Sequence, residues 1–202
     1  MLEKLKRNFY RRDAIELSKA LLGKYLIHHI NSETLIGKIV ETEAYMGFYD
    51  KAAHTYNGKR TPRTEVMYGE EGHAYIYLIY GIYHCMNVVA AEKGTAQAVL
   101  VRALEPIKGL DIMASYRFNK CFSELKKPQV FNLANGPGKL CQAFNITKKV
   151  NGEDLTSNKL YICEEKNYDE SFHIVETKRI GIDYAEEAKD YLWRFYMKGN
   201  EY

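Results

Sequence analysis

Three strand-like runs in close succession, residues 74–79, 83–91 and 96–104, constrain this chain more than any other feature. The first is dense in aromatics, with Tyr75 and Tyr77 alternating with apolar neighbours and Tyr80 just beyond. Gly81 permits a tight turn or bulge into the second run. Glu92–Thr95 then turns the chain into the third. Runs joined by turns this short pair antiparallel. The expectation is a β-meander with a protruding hairpin, on which the rest of the chain must build.

The flanking sequence extends this pattern. Asp13 followed by Glu16 resembles a capping box, Ala14, Leu17 and Leu21 form an apolar stripe, and Gly23 ends the predicted helix. Residues 24–30 and 34–45 read as strands. In the second, simple alternation puts Leu35, Gly37, Ile39, Glu41, Glu43 and Tyr45 on one face. A long loop follows, about 47–72, with His54, Lys59, Arg60 and Arg63 in it. Pro106 is expected to open a helix reaching Tyr116. Residues 119–130 read as an irregular loop, and Gly136-Pro137-Gly138 as the lead into a helix over 139–144. Strands are expected at 160–164, 172–177 and 192–198, with a helix near 184–191. The sum is α+β: a single domain over residues 1–202, with a curved, mostly antiparallel sheet and flanking helices.

Composition narrows the class. Hydrophobic residues are 46% and charged residues 27%, which argues against disorder. Net charge is only +3, but Lys4, Lys6, Arg7, Arg11 and Arg12 crowd the first twelve residues, and Lys59, Arg60 and Arg63 form a second basic cluster. The four cysteines form no C-x-x-C, and no second histidine stands at metal-ligand spacing to His54. Neither a disulfide framework nor a metal site is expected, and no cofactor is called for. No apolar run approaches a membrane span, and the amino terminus lacks a signal-peptide core. The expectation is a soluble cytoplasmic protein without membrane contact.

Several residue patterns can carry chemistry. Glu43 lies beside Tyr45 in a half-buried strand, where a carboxylate can act as a general base. Glu41, two residues earlier, keeps a paired-carboxylate hydrolase open, and a pair of structural ion pairs is the plainer alternative. Tyr77 can face a pocket while Tyr80, at the turn, protrudes as a wedge for a base stack. Asn87 and Arg102 interrupt apolar strands and need partners. Gly136-Pro137-Gly138-Lys139 offers free N–H groups and an ammonium, though without Walker spacing.

These words, in this order, resemble the alkyladenine (3-methyladenine) DNA glycosylases of the AAG/MPG type. The resemblance is most specific in Ile39-Val40-Glu41-Thr42-Glu43-Ala44-Tyr45, Ala52-Ala53-His54, Thr61-Pro62-Arg63 and residues 75–83. It continues through Cys85-Met86-Asn87, residues 100–106 and residues 135–143, and is weaker near Arg179-Ile180-Gly181 and Arg194-Phe195-Tyr196. It implies that Glu43 activates the attacking water and that Arg102 holds the reaction centre. Tyr45, His54 and Tyr77 would enclose the flipped base, and Asn87 would disfavour a guanine 2-amino group. Tyr80 would fill the gap in the stack, with Ile82, Arg63 and Lys139 also on the DNA-binding side. His73 and His84, and Ile82 in place of a methionine, depart from the family's usual residues.

The resemblance further implies base-excision repair of 3-methyladenine, 7-methylguanine or hypoxanthine in duplex DNA, by a monomer without lyase activity. The short amino terminus fits a bacterial, nucleoid-associated member. The competing expectations are a hydrolase of another nucleic-acid or nucleoside substrate, a non-catalytic duplex-DNA-binding module in which Glu43 merely pairs with Arg102, and a tyrosine-rich structural domain.

Overall fold

In the computed structural model, which describes residues 1–166 and 171–202, the aromatic meander lies at one end of a larger sheet. The elements in order are β1 (Leu2–Lys4), α1 (Ala14–Leu21), β2 (Tyr25–Ile30), β3 (Glu33–Tyr45), β4 (Ala74–Ile79), β5 (Tyr83–Ala90) and β6 (Gln97–Lys108). Then come α2 (Leu110–Phe118), α3 (Lys127–Phe131), α4 (Pro137–Ala143), β7 (Leu160–Glu165), β8 (Ile174–Thr177) and β9 (Arg194–Met197). The sheet order is β1-β7-β2-β3-β6-β5-β4, with β9 pairing both β3 and β8, and every pairing is antiparallel. The long β3 is the hub: its first half pairs with β2 and part of its second half with β9, while β6 pairs with it from Ile36 to Tyr45. The α+β class with a mostly antiparallel sheet agrees with the sequence expectation.

One sheet face builds the main core. Ile76 of β4, Met86 and Val88 of β5, and Val99 and Val101 of β6 are buried there with Leu17 and Leu21 of α1 and Leu140 of α4. The alternate residues Tyr77, Cys85, Asn87, Ala98 and Leu100 line a cleft instead, as a two-residue repeat requires. Asp13 caps α1 by accepting the Glu16 N–H at 2.8 Å.

Alternation fails at one place, and the failure sets up the site. Pairing along β3 and β6 runs Ile39↔Leu104, Glu41↔Ala103, Thr42↔Val101, with register shifts on both sides of Glu41. One extra residue on each strand makes a β-bulge. Ile39 and Val40 are therefore both in the main core, followed by Ala44. The predicted single face for Leu35, Gly37, Ile39, Glu41, Glu43 and Tyr45 is thus corrected. Leu35 and Ile39 stay in the core, whereas the bulge turns Glu43 and Tyr45 away from it.

Three further expectations move. Pro106 does not open a helix but lies within β6, paired with Gly37 next to a register shift. β5 pairs with β6 only over 97–100, so Pro106 has one neighbouring strand and its missing N–H leaves no ladder bond unmade. The helix begins after Gly109, at φ 84, where a Cβ would lie 2.3 Å from Leu35. The 119–130 loop contains a 3-10 turn over Phe122–Glu124 and the start of α3. The expected helix over 184–191 is a 3-10 segment, Glu186–Asp190.

Candidate active site

The residues that face away from the main core border a cleft of about 440 Å³. β3 contributes Tyr45, β4 contributes Tyr75 and Tyr77, and β5 and β6 contribute Asn87 and Arg102; His54, Ile180 and Tyr184 come from loops. The rings form a cluster. His54 meets Tyr77 edge-on at 4.7 Å, and Tyr75 lies 5.5 Å from Tyr77.

Glu43 lies beneath this cleft with no solvent exposure. Its Oε2 accepts the Tyr45 hydroxyl at 2.8 Å, and its Oε1 accepts the Ile180 N–H at 2.8 Å. Arg102 Nη1 stands 3.2 Å from Oε1. A carboxylate has about four acceptor positions; among the described residues one hydrogen bond reaches each oxygen and Arg102 adds an ion pair at Oε1, so Oε2 keeps an open position. Burial pushes the Glu43 pKa up, and Arg102, the Ile180 N–H and the Tyr45 hydroxyl oppose that rise. Glu41 is occupied differently: its Oε1 accepts from Arg102 at 3.1 Å and from Arg194 at 2.8 Å. Two arginines on one carboxylate oxygen make Glu41 an anchor for Arg102 rather than a second acid.

The protonation state of His54 follows from its neighbours. Burial, with the charges of Arg63 and Lys59, lowers its pKa to about 4, so the ring is neutral near pH 7. Arg63 can only donate, so His54 Nε2, at 3.3 Å, must accept; Nδ1–H then donates to the Tyr75 hydroxyl at 3.0 Å. Arg63 also lies over the Tyr77 ring, 5.0 Å from its centroid. Asn87 Nδ2 donates to the Tyr75 carbonyl at 3.1 Å.

Beyond the cleft, the hairpin ends in a turn with φ 53 at Tyr80 and 75 at Gly81, closed by the Ile82 N–H on the Ile79 carbonyl at 3.2 Å. Two successive positive φ values are the type I′ pattern. A left-handed tyrosine costs about 1–2 kcal/mol, and this one exposes 84% of its surface, so it is not held there by packing. Ile82, beside it, is 68% exposed. Lys139, in the first turn of α4, donates to the side-chain carbonyls of Asn132 and Asn135 at 2.6 and 2.8 Å, which ties most of its ammonium to the protein. His73 is a structural residue, with its Nδ1 3.0 Å from the Glu70 carbonyl and its backbone bridged to Asp154.

Comparison with known proteins bears on this arrangement. The family model described as methylpurine-DNA glycosylase (MPG) matches residues 8–201. The chain belongs to the methylpurine-DNA glycosylase family. Relatives provisionally named 3-methyladenine DNA glycosylases accompany that match. The protein from Clostridium acetobutylicum is 59% identical over 98% of this chain and 96% of its own length. That from Desulfitobacterium hafniense is 54% identical over 100% and 98%, and that from Alkaliphilus oremlandii 55% over 98% of each.

In this DNA glycosylase the structure brings Glu43, Tyr45, His54, Tyr77, Asn87 and Arg102 together, with Arg63 and Tyr80 at the cleft's border. Ile82 and Lys139 lie outside its lining. Sequence reasoning missed the Ile180 N–H, because a backbone donor has no residue signature. It also missed Asp50, whose buried pairing with Arg179 spans 129 positions and leaves no local pattern. The weak word Arg179-Ile180-Gly181 was the available signal.

Proposed function

We propose that this glycosylase binds duplex DNA, turns an alkylated or deaminated purine nucleotide out of the stack, and hydrolyses its N-glycosidic bond to leave an abasic site. The observation that carries the reading is the buried Glu43, aimed by the bulge toward an aromatic cleft and held by Tyr45, Arg102 and the Ile180 N–H. The open position on Oε2 receives a water proton as the water oxygen bonds to the anomeric carbon. The bond to the base breaks, and its electron pair leaves with the base. A cationic 3-methyladenine or 7-methylguanine departs neutral and needs no proton, so one base suffices. Hypoxanthine, which is neutral, requires a proton from elsewhere.

Flipping costs a few kcal/mol, and stacking returns about 1–3 kcal/mol per base. The rings of Tyr45, Tyr77 and His54 offer that stacking, and the tyrosines add cation–π attraction for a charged purine. Neutral His54 adds no repulsion. Tyr80, at its left-handed tip, is placed to fill the vacated step. Among the described residues no lysine lines the cleft, which supports hydrolysis without an imine intermediate. The relatives' names favour 3-methyladenine as one substrate of this chain.

The test is release of free base from duplexes carrying one 3-methyladenine, 7-methylguanine or hypoxanthine. Strand breakage is expected only after hot alkali, and single nucleosides should be poor substrates. Breakage without alkali would refute the hydrolytic reading. A second reading has one observation behind it: complete burial with an arginine partner is also what a structural glutamate shows. Under that reading the protein binds duplexes and releases no base.

A further inference from the structure

We infer that Arg179, paired with Asp50, is a positioning residue for base excision, fixing the Tyr45 ring and the Ile180 N–H relative to Glu43. The inference rests on the reading of Glu43 as the base. Both side chains of the pair have no solvent exposure. Arg179 Nη1 donates to Asp50 Oδ2 at 2.6 Å and to the Ala44 carbonyl at 2.8 Å. Nη2 donates to Asp50 Oδ1 at 2.8 Å and to the Ala188 carbonyl at 3.1 Å. The guanidinium thus joins the end of β3, the loop after it, and the 186–190 segment.

Its faces are occupied as well. The guanidinium carbon lies 4.8 Å from the Tyr45 ring centroid and 4.9 Å from that of Trp193. Tyr45 lines the cleft whereas Arg179 does not, so the cation supports the ring from outside the base site. Next in the chain is Ile180, whose N–H donates to Glu43. One side chain therefore restrains the ring that would stack on the base and the residue adjoining a donor to the carboxylate. Asp50 also accepts the Met46 N–H at 3.0 Å and the Ala52 N–H at 3.0 Å, which anchors the segment leading to His54. Such a rigid pair costs desolvation and is weak support for stability alone, whereas a misplaced catalytic group loses rate steeply.

The charged and titratable groups around Glu43 are Arg102 from β6, Glu41 and Tyr45 from β3, Tyr77 from β4, Cys85 from β5 and Tyr184. Arg194 from β9 acts through Glu41. Arg179 and Asp50 are charged neighbours too, through Tyr45 and Tyr184; Arg179→Lys retains every one of these charges, so a displaced pH profile in that variant reports the loss of the Arg179 restraint. The Ile180 N–H favours the ionised carboxylate; loosening it moves the acid limb of activity to higher pH.

The experiment uses the whole protein with Arg179→Lys, which keeps the charge and loses the fork. The paired variant Asp50→Asn/Arg179→Met removes both charges and leaves none buried alone. Melting temperature, affinity for a duplex with a tetrahydrofuran abasic analogue, and single-turnover base release from pH 5 to 9 are measured against wild type. The expected result is cooperative melting, salt-dependent duplex binding, a single-turnover rate at least about tenfold lower, and an acid limb moved upward. Wild-type rates and an unmoved limb in a folded variant overturn the inference. A lower rate that tracks only the folded fraction, with the limb unmoved, also overturns it, because the pair is then merely structural. Failure of wild type to release base marks failure of the underlying reading instead.

Discussion

Tyr80→Ala separates the wedge from the fold. The side chain is 84% exposed at the hairpin tip, so truncation removes almost no buried surface. Both residues are non-glycine at φ 53, so the left-handed cost stays nearly unchanged. Melting temperature should therefore move little, as for surface changes within about 0.5 kcal/mol. Binding to a gapped stack should suffer, because base–aromatic stacking contributes about 1–3 kcal/mol. That corresponds to about 5- to 150-fold weaker affinity. Fluorescence anisotropy on a tetrahydrofuran-containing duplex at fixed salt measures it, with an undamaged duplex as control. The control should change little, since phosphate contacts dominate non-specific binding. Unaltered affinity for the gapped duplex, or an equal loss on both duplexes, would refute the wedge. Tyr80→Phe should retain most of the affinity.

Further expectations concern stability and pH. Asp13→Ala removes the α1 cap and should cost about 1 kcal/mol in urea unfolding; no loss would mean that the Glu16 N–H is satisfied by water. Burial, with the charges of Arg63 and Lys59, lowers the His54 pKa to about 4 in the folded protein, against about 6.5 for an ordinary histidine. Between those values the unfolded chain binds more protons, so stability falls as pH drops from 6.5 toward 4. Burial lowers the pKa of His28 too, and it acts in the same direction. Urea melts at pH 7.5 and 5 should show this fall, and His54→Gln should lessen it; an equal fall in the variant would assign it elsewhere. Burial raises the Glu43 pKa, and a base must be ionised. Base release should therefore decline on the acid side above the ordinary glutamate value near 4.3, as a single-turnover pH series will show.

Local pattern carried most of the fold. Turn residues and alternation marked β2 to β5 and the hairpin, because each is specified by neighbours within a few positions. Pro106 misled because its helix-opening preference is local, whereas its tolerance within β6 depends on which strand lies beside it. The bulge at Glu41 was equally illegible. Alternation predicted a carboxylate on the Leu35 face, and only the pairing with β6 reveals the added residue. For the site, Glu43, Tyr45 and Arg102 were readable as residue types with family spacing. The Ile180 N–H and the Asp50–Arg179 pair were not, since one is backbone and the other joins distant segments.

The central claim is that Glu43 is the base that activates water. Wild type and Glu43→Gln should be incubated with a duplex carrying one 7-methylguanine, and the products treated with hot alkali. The amide is nearly the same size as the carboxylate and cannot accept the water's proton. The account predicts alkali-dependent cleavage by wild type and a rate lower by about 10²–10⁴-fold in the variant, with duplex binding retained. Equal cleavage by both proteins would contradict it and move the base to another residue.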